Sequence, residues 1–107
     1  FARATPPEMA GYAAAHAAAL SLSHSLRAQL GAGGVRLMTV LTGPTEEDWF
    51  QLAPQPKVTG KALADAVVGG LMRGLEEVVV GDIARDLTAR LAANPKAVER
   101  DLSQGKL

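Results

Sequence analysis

The stretch Gly34-Val35-Arg36-Leu37-Met38-Thr39-Val40-Leu41 decides the fold of this chain. Beyond its arginine the stretch is apolar on both alternating faces, which is typical of a strand buried on both sides in a parallel sheet. A second apolar run follows at Val78-Val79-Val80. A parallel pair needs a long crossover between its strands, usually a helix. The sequence therefore predicts strands over 35–41 and 78–80 in an α/β fold.

A predicted helix over 60–73 supplies that crossover. Thr59 is suited to cap its first turn, and Gly74 is suited to end it. Gly69 and Gly70 each cost about 1 kcal/mol relative to alanine inside a helix. We expect these two glycines to let the helix pack closely on the sheet.

The rest of the chain has the start and stop signals of further helices. Thr5-Pro6-Pro7-Glu8 has the residues of a capping box, and Gly31 is suited to end the Ala-rich helix that follows. Thr45-Glu46-Glu47-Asp48 resembles the cap and acidic first turn of a short helix, which prolines at 54 and 56 end. Asp82 is suited to cap another helix. The three longer helices are predicted over 6–30, 82–93 and 95–102.

Length and composition limit the possible functions. With 107 residues the chain is one domain at most, and eleven acidic side chains balance eleven basic ones. The zero formal charge does not suit nucleic-acid binding. No apolar run approaches the ~20 residues that cross a membrane. The absence of cysteine excludes disulfides and thiolate chemistry, and the cytoplasm is the simplest compartment.

The chemistry-bearing residues concentrate on the first helix, in Tyr12-Ala13-Ala14-Ala15-His16. Residues four apart share a helix face, so the phenol and the imidazole are neighbours. By itself such a pair is usually a surface or core feature. We expect no metal site, because His16 and His24 lack enough further ligands. The serines around His24 indicate a packed helix face rather than a hydrolase, since no nucleophile elbow accompanies them.

Tyr12-Ala13-Ala14-Ala15-His16 resembles the Tyr-x-x-x-Lys motif of the short-chain dehydrogenase/reductase family, and Ser25-Leu26-Arg27-Ala28-Gln29-Leu30 resembles the end of the helix that follows that motif. Next in order, Gly34-Val35-Arg36-Leu37-Met38-Thr39-Val40 is similar to the family's Gly-Val-Arg-Val strand, and Thr42-Gly43-Pro44-Thr45 is similar to its Pro-Gly-Pro-Val turn. The tail, from Val78 to Asp86 and from Asn94 to Leu102, is similar to the end of small bacterial members. The resemblance covers nearly the whole chain.

The resemblance implies a Rossmann-type, doubly wound parallel sheet of which residues 1–107 are the C-terminal part. The dinucleotide-binding half, with its glycine-rich turn and catalytic serine, would lie upstream, and an initial Phe1 in place of methionine agrees with that expectation. Gly31-Ala32-Gly33-Gly34 is not that turn, because it follows a helix and precedes a strand. The implied activity is hydride transfer between NAD or NADP and a small-molecule carbonyl or alcohol.

The same resemblance implies roles for individual residues. Tyr12 matches the proton donor, and His16 stands in the place of the lysine that assists the tyrosine and binds the nicotinamide ribose. The expected cofactor-binding residues are His16, Thr42, Gly43, Pro44 and Thr45. Trp49 and Phe50 would belong to the substrate loop.

Departures from the family pattern leave a second interpretation open. His16 is shorter than lysine, and a free imidazole is mostly uncharged at pH 7. Thr42 stands where the family has proline. We expect the isolated chain to be inactive. The alternative is a degenerate, non-catalytic module that forms homo-oligomers through the helix over 6–30, as family members do.

Overall fold

The computed structural model describes residues 3–46 and 57–106, which form helices around a short parallel sheet. In chain order the elements are a 3₁₀ turn at Pro7–Met9, α1 at Ala10–Gly31, β1 at Thr39–Thr42, α2 at Gly60–Met72, β2 at Glu77–Val80, α3 at Asp82–Ala93 and α4 at Pro95–Ser103. The predicted α/β order is confirmed for these ranges. The predicted short helix after Thr45 lies mostly outside the described residues.

The sheet pairs β1 with β2 in parallel, and α2 is the crossover between them. The register runs from Thr39 opposite Glu77 to Thr42 opposite Val80. The first strand therefore begins at 39 rather than at the predicted 35, because its partner starts only at Glu77. The side chains of 39–41 are half-buried and not fully buried as predicted. Two described strands leave too little sheet to cover both faces.

Close packing of α2 on the sheet depends on one of the adjacent glycines Gly69 and Gly70. A Cβ atom placed on Gly70 would lie 2.6 Å from Cγ2 of Val78 and 2.9 Å from the sulfur of Met38. Such distances are far inside van der Waals contact, so only glycine fits there. Nothing lies within 4 Å of a Cβ at Gly69. The close-packing prediction is thus confirmed for Gly70 and wrong for Gly69.

The helix starts confirm one predicted cap and correct two others. The Thr59 side chain accepts a backbone N–H of the first turn of α2 at 3.0 Å, as predicted. Thr5 forms no capping box, since the extended Pro6 precedes a 3₁₀ turn and α1 begins only at Ala10. Asp82 is the first residue of α3 and not its cap, because Gly81 occupies the cap position.

Four described glycines have positive φ, at 34, 74, 81 and 105, and Gly74 ends α2 as predicted. Gly31, the predicted end of the first helix, is still helical, and Gly34 with φ of 80° makes the turn after it. Gly81 has φ of 97°, and a Cβ there would lie 2.6 Å from Cγ2 of Val58. An L side chain at Gly81 would therefore be disfavoured by both backbone and packing.

A cluster of buried apolar side chains lies between α3, α4 and the N-terminal segment. They are Ala4, Val98 and Leu102, with Leu87 and Leu91 packed against them. Arg3 fastens the same segment to the sheet through two hydrogen bonds to the Glu77 carboxylate, at 2.9 and 3.1 Å. Among the described residues no helix is both long and apolar enough to span a membrane.

Candidate active site

Polar side chains on α1 determine how this helix lies against the sheet. The Ser23 hydroxyl is 3.1 Å from the Thr39 hydroxyl, at the first residue of β1. One turn later, Arg27 donates from Nη2 to the Thr39 hydroxyl at 2.6 Å and from Nε to the Leu37 carbonyl at 3.1 Å. Arg27, the later of the two helix residues, thus contacts Leu37, which precedes β1, whereas the earlier Ser23 contacts Thr39. The two elements therefore run in opposite directions.

This antiparallel placement brings the start of α1 to the carboxyl end of β1. At ~1.5 Å rise per residue, His16 lies ~10 Å and Tyr12 ~16 Å up the helix from Ser23. At ~3.3 Å per residue, Gly43 lies ~13 Å along the strand from Thr39. From these distances we expect Tyr12 and His16 to lie level with the residues that follow β1. In open α/β sheets, ligands bind outside the carboxyl ends of the strands.

The two rings of the predicted pair contact each other. The centroids of Tyr12 and His16 are 4.4 Å apart, and their planes are tilted by 42°. Tyr12 is half-buried and His16 is exposed, while the intervening Ala13 is buried. The helix is therefore buried at a small residue, Ala13, and carries a phenol in contact with an exposed imidazole beside it. The predicted neighbourhood of the two rings is confirmed.

The turn after β1 is held by its own backbone. The Gly43 N–H donates to the Val80 carbonyl at 3.0 Å, and the Pro44 carbonyl accepts from the Val58 N–H at 2.7 Å. The Thr42 hydroxyl donates to the neighbouring Gly43 carbonyl at 3.0 Å. These bonds tie the turn to the end of β2 and to the segment before α2. The turn is therefore fixed by backbone hydrogen bonds to two other segments.

The backbone pairing of this turn continues at Thr45. It forms a parallel bridge with Val58, so the sheet-like pairing extends past the turn. The predicted substrate-loop residues, Trp49 and Phe50, lie outside the described residues. The candidate site thus comprises the Tyr12–His16 pair, whose rings are in contact, and the predicted residues 42–45 that follow β1.

These residues suit one end of a nicotinamide dinucleotide. A phenol and an imidazole can hydrogen-bond a carbonyl oxygen and ribose hydroxyls. The pyrophosphate end has no match in the described residues. Gly81 joins β2 to α3 in the strand–turn–helix order that such a group needs, but Asp82 puts a carboxylate in the first turn of that helix. A negative charge there opposes an anion.

Metal binding has no comparable basis. In the part of the chain that the structure describes, no group of three or more His, Asp or Glu side chains converges on one point. His24 instead lies 3.7 Å from the Glu77 carboxylate, which Arg3 also contacts. These charges belong to the opposite end of the sheet from Tyr12.

Sequence analysis did not assign a role to Arg27. The side chain bridges to both strands, because its Nη2 also donates to the Glu76 carbonyl at 2.9 Å. The available signal was the spacing of Ser23 and Arg27, which stand four apart on a helix otherwise rich in alanine. Residues at that spacing share a face. Which strand they face became evident only in three dimensions.

Comparison with known proteins gives a match among solved structures. No protein-family model and no curated protein matches the sequence. Among solved structures, a short chain dehydrogenase from Burkholderia cenocepacia J2315 in complex with NADP superimposes with a TM-score of 0.86 at 36% sequence identity. The match covers 94% of this chain and 43% of that dehydrogenase. The chain thus spans less than half the length of the protein it matches.

Proposed function

This chain is related to the short-chain dehydrogenase/reductase family, and from that premise we propose that it is the catalytic-tyrosine part of an NAD(P)-dependent oxidoreductase. The reaction interconverts a small-molecule carbonyl and its alcohol. The observation that carries the proposal is the contact between the tilted rings of Tyr12 and His16, whose centroids are 4.4 Å apart, at a level on α1 that we expect to match the carboxyl end of β1. That level follows from the order of the contacts between α1 and the chain at the start of β1.

Tyr12 supplies the proton in the reductive direction. Its hydroxyl hydrogen-bonds the carbonyl oxygen and gives up its proton as negative charge develops on that oxygen. The bound nicotinamide cofactor supplies the hydride to the carbonyl carbon. General acid catalysis by a positioned side chain contributes typically ~10²–10⁴-fold in rate.

His16 orients the phenol and connects it to solvent. Its ring contacts the Tyr12 ring on one side and is exposed on the other. An exposed imidazole exchanges protons with water, so it can return a proton to the tyrosinate after each turnover. It also has the donor and acceptor capacity to hydrogen-bond a ribose hydroxyl. In this proposal His16 performs the work of the lysine in the family motif.

The turn after β1 forms the opposite wall. Gly43 offers backbone without a side chain beside the nicotinamide, and Pro44 holds the turn rigid through its bonded carbonyl. Thr42 and Thr45 contribute hydroxyls at the rim. The pyrophosphate-binding turn belongs, in this proposal, to sequence upstream of Phe1, as the 43% coverage of the matched dehydrogenase suggests.

A direct test measures cofactor oxidation by the full-length protein that contains this chain. We expect NADPH or NADH absorbance to fall when the protein is supplied with a panel of aldehydes and ketones. Omitting the carbonyl is the control for background oxidation. If the folded protein binds a cofactor but consumes none with any carbonyl, and oxidises no alcohol with NAD⁺ or NADP⁺, the proposal is wrong.

The alternative is a non-catalytic relative that serves as an oligomerisation module. Two observations favour it: His16 replaces the family lysine, and the alanines of α1 at 14, 15, 17, 18 and 19 are exposed. Small side chains let helices approach closely, so this face suits a second copy of the chain. Replacing Ala18 with glutamate would then lower the mass measured by light scattering, whereas Ala92→Glu, an exposed site on α3, would not.

The substitution His16→Lys distinguishes the two functions. If the site has decayed, restoring the lysine raises activity strongly. If the enzyme has adapted to histidine, as we propose, the lysine variant has unchanged or lower activity, because a flexible chain replaces a ring that packs on Tyr12. Initial rates of NADPH oxidation by both proteins provide the comparison.

A further inference from the structure

We propose that Arg27 is a positioning residue that sets the height of α1 on the sheet and thereby the place of the Tyr12–His16 pair. The inference rests on the proposed function for its consequence in catalysis. The effect of Arg27 on the position of α1 does not require that function and can be tested separately.

The guanidinium of Arg27 holds three separate acceptors. They are the Leu37 carbonyl at 3.1 Å, the Thr39 hydroxyl at 2.6 Å and the Glu76 carbonyl at 2.9 Å. These acceptors come from the segment before β1, from β1 itself and from the residue before β2. One planar fork therefore binds the starts of both strands to the same helix. Lysine has a single ammonium group and cannot reproduce that geometry.

Few other polar contacts tie α1 to the strands in the described ranges. Ser23 reaches the same Thr39 hydroxyl at 3.1 Å. His24 lies 3.7 Å from Glu77, and its side chain is 48% exposed, so that ion pair is weak and depends on protonation. Arg3 already satisfies the Glu77 carboxylate. The partners of Arg27 are uncharged, so its hold on the strands does not depend on protonation of a partner.

Because α1 is long, a small tilt of the helix at Arg27 moves Tyr12 by an appreciable distance. Tyr12 stands ~22 Å up the helix from Arg27 at ~1.5 Å per residue, so a tilt of ~3° moves it by ~1 Å. In the first turns of α1, Ala13 is buried and Tyr12 is half-buried, whereas positions 10, 11 and 14–19 are exposed. A misplacement of ~1 Å far from the chemistry can lower a rate ~10²-fold. Arg27 thus acts on the reaction through the position of Tyr12.

Spin-label distances test the geometry directly. The chain has no cysteine, so Ala15→Cys and Lys61→Cys place labels only at the start of α1 and the start of α2. Both positions are exposed. We expect a narrow distance distribution for this labelled protein. Adding Arg27→Met shifts or broadens it while circular dichroism still shows the folded chain, and Arg27→Lys does the same to a lesser degree. Arg100→Met, at an exposed position of α4, is the matched control and leaves the distribution unchanged.

Two substitutions at Thr39 test whether its hydroxyl is the acceptor that holds α1 in place. Thr39→Val removes the hydroxyl that Arg27 and Ser23 share, whereas Thr39→Ser keeps it. We expect the valine variant to resemble Arg27→Met and the serine variant to keep the narrow distribution. A merely stabilising arginine would lower the melting temperature without moving the distance in the folded chain. That result, or equal distributions for the valine and serine variants, would overturn the inference.

Activity adds a separate measurement. In the full-length enzyme we expect Arg27→Met to lower kcat about tenfold or more with little change in KM, as for a defect felt in the transition state. A wild-type kcat in a variant whose helix has demonstrably moved would overturn the catalytic consequence. If no form of the protein reduces a carbonyl, the proposed function fails, while the distances still decide whether Arg27 sets the helix.

Discussion

At the scale of single side chains, the contact between Tyr12 and His16 follows from helix geometry alone. A spacing of four residues puts two side chains on one face wherever the helix lies. The sequence could therefore predict this pair. It could not predict Arg27, because the partners of that guanidinium, Leu37 and Glu76, are separated from it by 10 and 49 residues. Such contacts depend on how helix and strands are assembled.

Helix capping gives a prediction at the same scale. Thr59→Ala removes the side-chain acceptor at the start of α2 and should lower the free energy of unfolding by ~1 kcal/mol. Thr5→Ala is the matched control, since Thr5 makes no capping box in the structure, and should change it by much less. Urea denaturation of both variants measures the difference. Equal losses would contradict the assigned caps.

At the scale of elements, the bounds of helices were more predictable than those of strands. Helix ends have local signals, such as Thr59 before α2 and Pro95 at the start of α4. A strand exists only where it has a partner. Residues 35–38 have the composition of a strand, yet the ladder begins at Thr39, where the N–H donates to the Glu76 carbonyl at 2.9 Å. The start of β1 is therefore set by where β2 begins, and the local sequence has no signal for it.

The packing of α2 on the sheet leads to a prediction for this scale. Gly70→Ala puts a methyl group into Val78 and Met38, and we expect a net loss of ~1–2 kcal/mol after the better helix propensity of alanine is counted. Gly69→Ala meets nothing within 4 Å and should stabilise the chain by up to ~1 kcal/mol.

Chemical denaturation of the two variants in parallel tests this pair, because the residues are adjacent and undergo the same substitution. Opposite signs are the expected outcome. The same sign for both would show that close approach of helix and sheet at Gly70 is not what selects glycine there.

At the scale of the whole molecule, we propose that the chain contains one wall of a cofactor cleft. The described sheet has two strands, and the chain matches 43% of an NADP-bound dehydrogenase. A sheet of this size leaves its side chains half-buried, as in β1. The α/β class and element order were predictable from sequence, because apolar runs and helix signals alternate. The extent of the surrounding sheet was not, since strands outside these residues leave no signal within them.

A cofactor titration tests this view of the molecule. We expect the 107-residue chain alone to show no NADPH affinity in the micromolar range by calorimetry, because the described residues supply no pyrophosphate cradle. The full-length protein should bind in that range. Micromolar binding by the chain alone would show that it holds the cofactor by other means than we propose.

The central claim is that the Tyr12 hydroxyl donates the proton in carbonyl reduction. The most direct test is the steady-state rate of NADPH oxidation by the full-length protein carrying Tyr12→Phe, which removes one oxygen and keeps the ring against His16. We predict that kcat falls by ~10²–10⁴-fold, while the affinity for NADPH measured by fluorescence stays within a factor of ~3 of wild type. A phenylalanine variant that reduces carbonyls at the wild-type rate would contradict the account.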